Sequence, residues 1–416
     1  MVERKKKKGQ PTAIQRRAVP MLFLFAVLVR AAFVLSSSDL IKGDWMDSVR
    51  YERVAHNISQ GRGFSEFYGK PTAFAPPLYP YFLAGINRVF GSNPMVVRLF
   101  QALFGGLVCL AVYRMARGLF GERAGLLAMA ACAVYPDLVV MTGYLYTETL
   151  FMAFTCWSFV RLLSALSPSG TRRDAFWAGA LFGLGILTRH VLLFFPVFLL
   201  VLLAVFRRAR PHFRKALVFA SVAYALVVPW LIRNAVVFHA FIPITTGGGG
   251  EFYAGSYLPF GGKYHYTETQ RQISELTREA KTEVEKDHIL YTEGLNNIAR
   301  HPFQYLGVVA NKGFRFVFQV YENVPSGRPR TRNPWVWSGL ALAYYPLLLL
   351  AGAAVWTERA KWISLLPLYG VLVYSILLCF GVHVVPRYRI PLIPFVIVLA
   401  SAAMDSLLTR ITSGRT

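Results

Sequence analysis

Runs of about 20 apolar residues recur from one end of this 416-residue chain to the other. Each is long enough to cross a hydrocarbon core of roughly 30 Å. Only 16% of the residues are charged, against roughly 25% in an ordinary soluble domain. A soluble globular enzyme, a disordered chain and a disulfide-stapled secreted module are excluded on these grounds. The expected architecture is an all-α polytopic membrane protein.

The apolar runs predict ten spans, near 19–37, 95–114, 124–141, 146–166, 175–188, 190–206, 216–238, 335–355, 362–381 and 390–408. Only Arg189 and His190 separate the fifth from the sixth, as a tight helical hairpin or one broken helix. The basic segment before the first run carries Lys5–Lys8 and Arg16-Arg17. The run after it has no small-residue cleavage signature, so it reads as an uncleaved first helix rather than a signal peptide. Cys109, Cys132, Cys156 and Cys379 all fall inside apolar runs and read as small core residues.

Lysines and arginines number 45 against 21 acids, a net charge of +24. Much of the excess lies in short loops, where it orients spans and touches anionic lipid, so nucleic acid is not the expected partner. With an inside N-terminus, the inside segments carry 22 Lys and Arg, whereas the short outside loops 136–147, 189–190 and 382–389 carry 3. Both termini are therefore expected in the cytoplasm, as tails 1–17 and 411–416 around a membrane domain 18–410.

Two long segments, 38–94 and 239–334, fall outside. The first holds a helical pattern at 47–60 and the proline-rich, aromatic stretch 75–82. The second opens with Gly247–Gly250, expected to be a flexible loop. A charged helix follows, its apolar Ile273, Leu276, Ala280 and Val284 three or four residues apart. His301 to Phe318 alternates basic and aromatic residues, which suits a helix lying in the interface. Such outer material points to chemistry or binding on the outer face.

Ionisable residues at membrane depth are costly and are functional candidates by default. Asp44, Asp47 and Arg50 follow the first span, Asp137 and Glu148 flank the second outer loop, and Arg189-His190 sit at the fifth turn. Arg233-Asn234 end the seventh span, and His383, Arg387 and Arg389 occupy the last outer loop. All land on the outer face, in a pattern suited to an anionic lipid head group. Structural alternatives stand beside them: pairing or snorkelling for Arg30 and Arg98, a helix cap for Asp47 or Asp137, and a helix-dipole contact for Glu148. Asp47 and Tyr51 share a helix face at i,i+4. A base at that cavity rim is expected to be partly desolvated. His56, His265 and His288 lack an i,i+4 partner, and no metal cluster is visible.

These residues resemble a known pattern. Asp47-Ser48-Val49-Arg50-Tyr51, Gln60–Phe64, Pro76-Pro77-Leu78-Tyr79 and Leu187-Thr188-Arg189-His190 occur in order. Pro229–Asn234, Gly249–Gly255 and Arg387-Tyr388-Arg389-Ile390-Pro391 follow. Over about 19–405 the chain is similar to polyprenyl-phosphate-sugar-dependent glycosyltransferases of the GT-C fold. Bacterial members of glycosyltransferase family 39, related to protein O-mannosyltransferases and the lipid A aminoarabinose transferase, resemble it most. Where that family often has Asp-Glu, Ser48 follows Asp47, so Glu148 is the candidate second acid. The chain also ends after about ten spans, without the large C-terminal outer domain of many relatives.

The resemblance implies a bacterial inner-membrane enzyme with a periplasmic site and a sugar donor on undecaprenyl or dolichyl monophosphate. Asp47 would be the general base for an acceptor hydroxyl attacking with inversion. Arg189, His190, Arg387 and Arg389 would hold the donor phosphate. Tyr51, Pro77, Tyr79, Arg233, Asn234 and Tyr388 would line the substrate cavity. No cofactor is implied, although the fold at large admits a divalent metal. The acceptor, whether lipid, glycan or protein, stays open. Two rivals remain: an O-antigen ligase or oligosaccharyltransferase using a pyrophosphate-linked donor, and a lipid-linked-glycan transporter. The transporter is disfavoured because no internal repeat is visible.

Overall fold

The computed structural model describes residues 13–37, 46–67, 69–263, 265–320 and 334–413. Asp44 lies outside the described residues. Apart from a short antiparallel hairpin, β1 (Ser65–Phe67) with β2 (Lys70–Pro71), the regular structure described is helical. The first apolar run forms α1 (Ala13–Ser36), and the first outer segment supplies α2 (Met46–Ser59) and α3 (Leu78–Phe90). A bundle follows: α4 (Pro94–Phe120), α5 (Glu122–Val134), α6 (Pro136–Val140), α7 (Glu148–Ala165), α8 (Arg172–Thr188), α9 (Phe195–Val205) and α10 (Phe213–Phe238). The second outer segment forms α11 (Gly248–Ser256), α12 (Tyr266–Leu276), α13 (Glu283–Arg300) and α14 (Pro302–Phe318). The chain ends in α15 (Pro334–Thr357), α16 (Trp362–Leu378) and α17 (Ile393–Ser413).

Every expected span is helical. Among the described residues six helices are long and apolar enough to cross a membrane, or seven if α5, α6 and the turn after it, bent by 58°, form one broken span. α7, α8 and α9 are shorter, at 18, 17 and 11 residues. At 1.5 Å per residue α9 rises only about 16 Å, roughly half of a hydrocarbon core. The core runs through α4, α5, α7, α8, α9, α16 and α17, including Phe159, Phe182, Phe195 and Phe395, all at most 1% exposed. α1 and α15 lie at the edge and leave Leu28, Leu35, Leu342 and Leu349 uncovered, as lipid-facing helices do.

Local sequence accounts for the joints. Pro136 has no N–H for the carbonyl four residues back, so α5 stops at Val134 and the chain bends. Arg30 meets the freed end: it is 1% exposed and donates to Cys132 O and Ala133 O, both at 3.0 Å. This cation is therefore a brace between α1 and α5. Gly179 and Gly183, four apart on α8, let α10 approach closely: a Cβ on Gly183 would stand 2.8 Å from Ala223 O. All four described cysteines are buried and free.

Two expectations fail in the second outer segment. The charged stretch is two helices, not one. α12 stops at Leu276, and α13 begins afresh with a capping box in which Thr282 and Glu285 satisfy each other's backbone. The glycine run is not a flexible loop but the opening of α11. Its glycines serve close packing: a Cβ on Gly248 or Gly249 would collide with Tyr291 or with the Asp287 backbone of α13.

Candidate active site

α2 begins with Asp47 in its first turn and brings Tyr51 onto the same face. Tyr51 is 9% exposed, stacked on Phe74 and edge-on to Tyr79. Burial, with Asp47 nearby, pushes its phenol well above the usual range, so it stays a neutral hydroxyl. Asp47, beside it, keeps 53% of its side chain exposed.

Arg387, in the 3₁₀ turn before α17, donates from Nη1 to Asp47 Oδ2 at 3.3 Å and from Nε to Glu148 Oε1 at 2.5 Å. Arg189, just past the end of α8, donates from Nη1 to the same Glu148 oxygen at 3.0 Å and to Thr147 Oγ1 at 3.3 Å. The Glu148 side chain has no exposed surface. A buried carboxylate persists only when paired, and this one is paired twice. Its role is visible in what it holds: two guanidiniums side by side, one of them 3.7 Å above the Tyr146 ring. Both arginines keep exposed surface, 18% for Arg189 and 25% for Arg387. Four segments distant in sequence thus present two cations and one open carboxylate to a common crevice.

The crevice continues past Arg189, whose guanidinium lies 5.7 Å from the Tyr388 ring. The Tyr388 hydroxyl donates to Glu251 Oε2 at 3.0 Å and lies 3.1 Å from His383 Nε2. His383 Nδ1 is 3.0 Å from that same Oε2. His383 beside it and the Tyr388 hydroxyl hold the Glu251 carboxyl below the usual carboxylate range, at about 2. Sequence reasoning placed neither Glu251 nor Thr147 and Tyr146 in a site. The available signal for Glu251 was its place directly after the glycine run, whose helix carries it inward.

The other expected site residues take different positions. His190 is exposed beside Arg189, within electrostatic range of Glu251. Arg389 is 7% exposed and donates to Phe316 O, Val317 O and Gln319 O, away from the crevice. Arg233 ties α10 to the hairpin through Thr72 O at 2.9 Å and Phe64 O at 3.2 Å, while Asn234 is fully buried against Ile242 O and Ile244 O. Pro77 starts α3, and Tyr79 is fully buried with its hydroxyl on Gln101 Oε1. Lys312 was not anticipated at all. It is fully buried on α14, and its ammonium donates to Gly255 O and Phe380 O at 3.1 Å, joining the segments that carry Glu251 and His383.

A separate cavity of about 450 Å³ lies behind α2, lined by Glu52, Arg53, His56, Asn57 and Glu66 among others. None of the clustered charges lines it. Among the described residues no three His, Cys, Asp or Glu side chains converge in a way that could hold a metal.

Residues 75–232 match the family described as dolichyl-phosphate-mannose-protein mannosyltransferase. Two curated relatives, from Pseudomonas fluorescens strains Pf-5 and Pf0-1, are each an undecaprenyl phosphate-alpha-4-amino-4-deoxy-L-arabinose arabinosyl transferase 2. They are 29% identical over 232 and 234 residues, covering 53% and 52% of this chain and 39% and 40% of the relative. The chain spans about two fifths of the length of the curated relatives it matches. Among solved structures, the Archaeoglobus fulgidus oligosaccharyltransferase AglB, in complex with an inhibitory peptide and a dolichol-phosphate, superposes with a TM-score of 0.60. The identity is 14%, over 97% of this chain and 52% of that one. Residues 75–232 thus carry a match to the family that the sequence resembles, and the GT-C fold extends over nearly the whole chain.

Proposed function

From its match to a glycosyltransferase family and its GT-C fold, we propose that this chain transfers a sugar, with inversion, from a polyprenyl monophosphate to an acceptor hydroxyl. The reaction takes place on the outer face of a bacterial inner membrane. The observation that carries this reading is the pairing of Arg189 and Arg387 on one buried carboxylate beside the open carboxylate of Asp47. Two guanidiniums held in this way form a clamp for a phosphate, whose oxygens accept short charge-assisted hydrogen bonds.

The acceptor oxygen attacks the anomeric carbon, the bond from that carbon to the phosphate oxygen breaks, and the proton passes to Asp47. The leaving phosphate gains one negative charge, which Arg189 and Arg387 neutralise where it develops. Phosphate entering the clamp competes with Asp47 for Arg387 Nη1, and so frees the carboxylate to take the proton. Tyr51 remains a neutral donor at the rim. Glu148, without exposed surface, is a positioning residue for both arginines rather than a second acid. Arg389, Arg233 and Asn234 shape the walls from behind.

The test is transfer of radiolabel from a panel of polyprenyl-monophosphate sugars to cell-envelope extract by purified protein in lipid. Wild-type transfer that Asp47→Asn abolishes supports both the class and the base. Transfer surviving in Asp47→Asn removes the base and keeps the class. Transfer only from pyrophosphate-linked donors overturns the monophosphate reading.

A further inference from the structure

Glu251 stands at the opposite end of the polar chain from Asp47, and the transfer scheme does not use it. Both of its contacts, with the Tyr388 hydroxyl and with His383 Nδ1, fall on Oε2. Its Oε1 carries no hydrogen bond or ion pair among the described residues. The side chain is 46% exposed, against 4% for the His383 beneath it. This carboxylate is anchored through one oxygen and open through the other. It is also too weak a base to take a proton, being held at about 2.

We propose that Glu251 reads the transferred sugar: Oε1 accepts a hydrogen bond from one hydroxyl of the donor's ring and so sets which sugar is moved. This inference rests on the transferase reading. The phosphate itself is repelled by a carboxylate and belongs on the arginine clamp. Tyr388 bridges Arg189, 5.7 Å from its ring, and Glu251, 3.0 Å from its hydroxyl, a span of the order of one sugar ring. Asp47 lies across the clamp, on Arg387, which leaves that end for the acceptor hydroxyl. A ring extending from the clamp toward Tyr388 brings its hydroxyls to Oε1. Tyr388 and His383, by occupying Oε2, fix the direction in which the open oxygen faces.

A hydrogen bond to a charged group contributes enough to change kcat/KM by about 10- to 150-fold. The experiment measures transfer by the full chain in lipid from radiolabelled polyprenyl-monophosphate pyranoses and from the same donors with single hydroxyls replaced by hydrogen. Glu251→Ala is expected to lose about 10²-fold in kcat/KM on the hydroxylated donor, mainly through KM. One deoxy donor should lose that factor already with wild type and lose nothing further with the variant. Glu251→Gln, which keeps the volume and an acceptor oxygen, should recover part of the loss, and it carries the comparison if the alanine variant melts early. An equal loss on every donor would show a structural role only and overturn the inference, as would no loss at all. Wild-type protein that transfers from no monophosphate donor would instead overturn the transferase reading, and this inference with it.

Discussion

Asp47 and Arg387 are 340 residues apart and form an ion pair at 3.3 Å. Charge is so rare among these apolar runs that Asp47, Glu148, Arg189 and Arg387 were each legible as candidates. What the sequence could not tell apart was an arginine facing the crevice from one turned into the protein. Arg387 and Arg389 are two residues apart in an Arg-Tyr-Arg triplet, yet Arg389 is spent on three carbonyls where α14 unwinds. That distinction depends on where a distant helix ends, which no local pattern encodes. The two are expected to separate on substitution. Arg387→Ala should lower transfer by about 10²- to 10³-fold, with the fall in melting temperature limited because Arg189 still pairs with Glu148. Arg389→Ala should chiefly lower the melting temperature, because buried carbonyls left without a donor cost about 1–3 kcal/mol each. Asp47→Asn should lower kcat by about 10²- to 10⁴-fold, the usual worth of a general base. Radiolabel transfer beside a thermal melt of each variant checks all three.

At the scale of elements, the helices were legible because an apolar run in lipid has no alternative to a helix. Their interruptions were less so. The break between α12 and α13 is written in Thr282 and Glu285, a capping box hidden inside an otherwise continuous apolar spacing. The glycine run was misread because glycine signals freedom and close approach equally well, and only the presence of α13 against α11 decides between them. Gly183→Leu is expected to force α8 off Ala223 and Leu226 and to destabilise by roughly 1–3 kcal/mol or more, read as a lower melting temperature. The α11–α13 contact also carries a pH signature. Asp287 Oδ1 accepts the Gly249 N–H at 2.6 Å, and burial, only partly offset by that bond, pushes its carboxyl up to about 6. The folded protein therefore holds this proton more tightly than the unfolded chain does. Its contribution to stability is present at low pH and declines as pH rises from about 4 to about 6. Asp287→Asn keeps an acceptor for Gly249 without the charge. It should raise the melting temperature at pH 7.5 and leave it unchanged near pH 3.5; equal shifts at both would remove the assignment.

One set of ion pairs joins the first turns of α2 and α7, the residue after α8 and the turn before α17, so these helix ends lie at one end of the bundle. Which side of the membrane that end faces is proposed from charge: with an inside N-terminus and ten spans, 22 Lys and Arg lie in the inside segments and 3 in the short outside loops. The same assignment puts α12 and α13 with the crevice. All four native cysteines are buried, so a single introduced cysteine reports its own side with little background. Lys281, exposed between α12 and α13, and Arg207, exposed after α9, sit on opposite sides in this orientation. In intact cells a membrane-impermeant maleimide is expected to label Lys281→Cys and to spare Arg207→Cys until the membrane is opened. The reverse pattern would put the crevice in the cytoplasm, within reach of nucleotide sugars, and would remove the reason for preferring a lipid-carried donor.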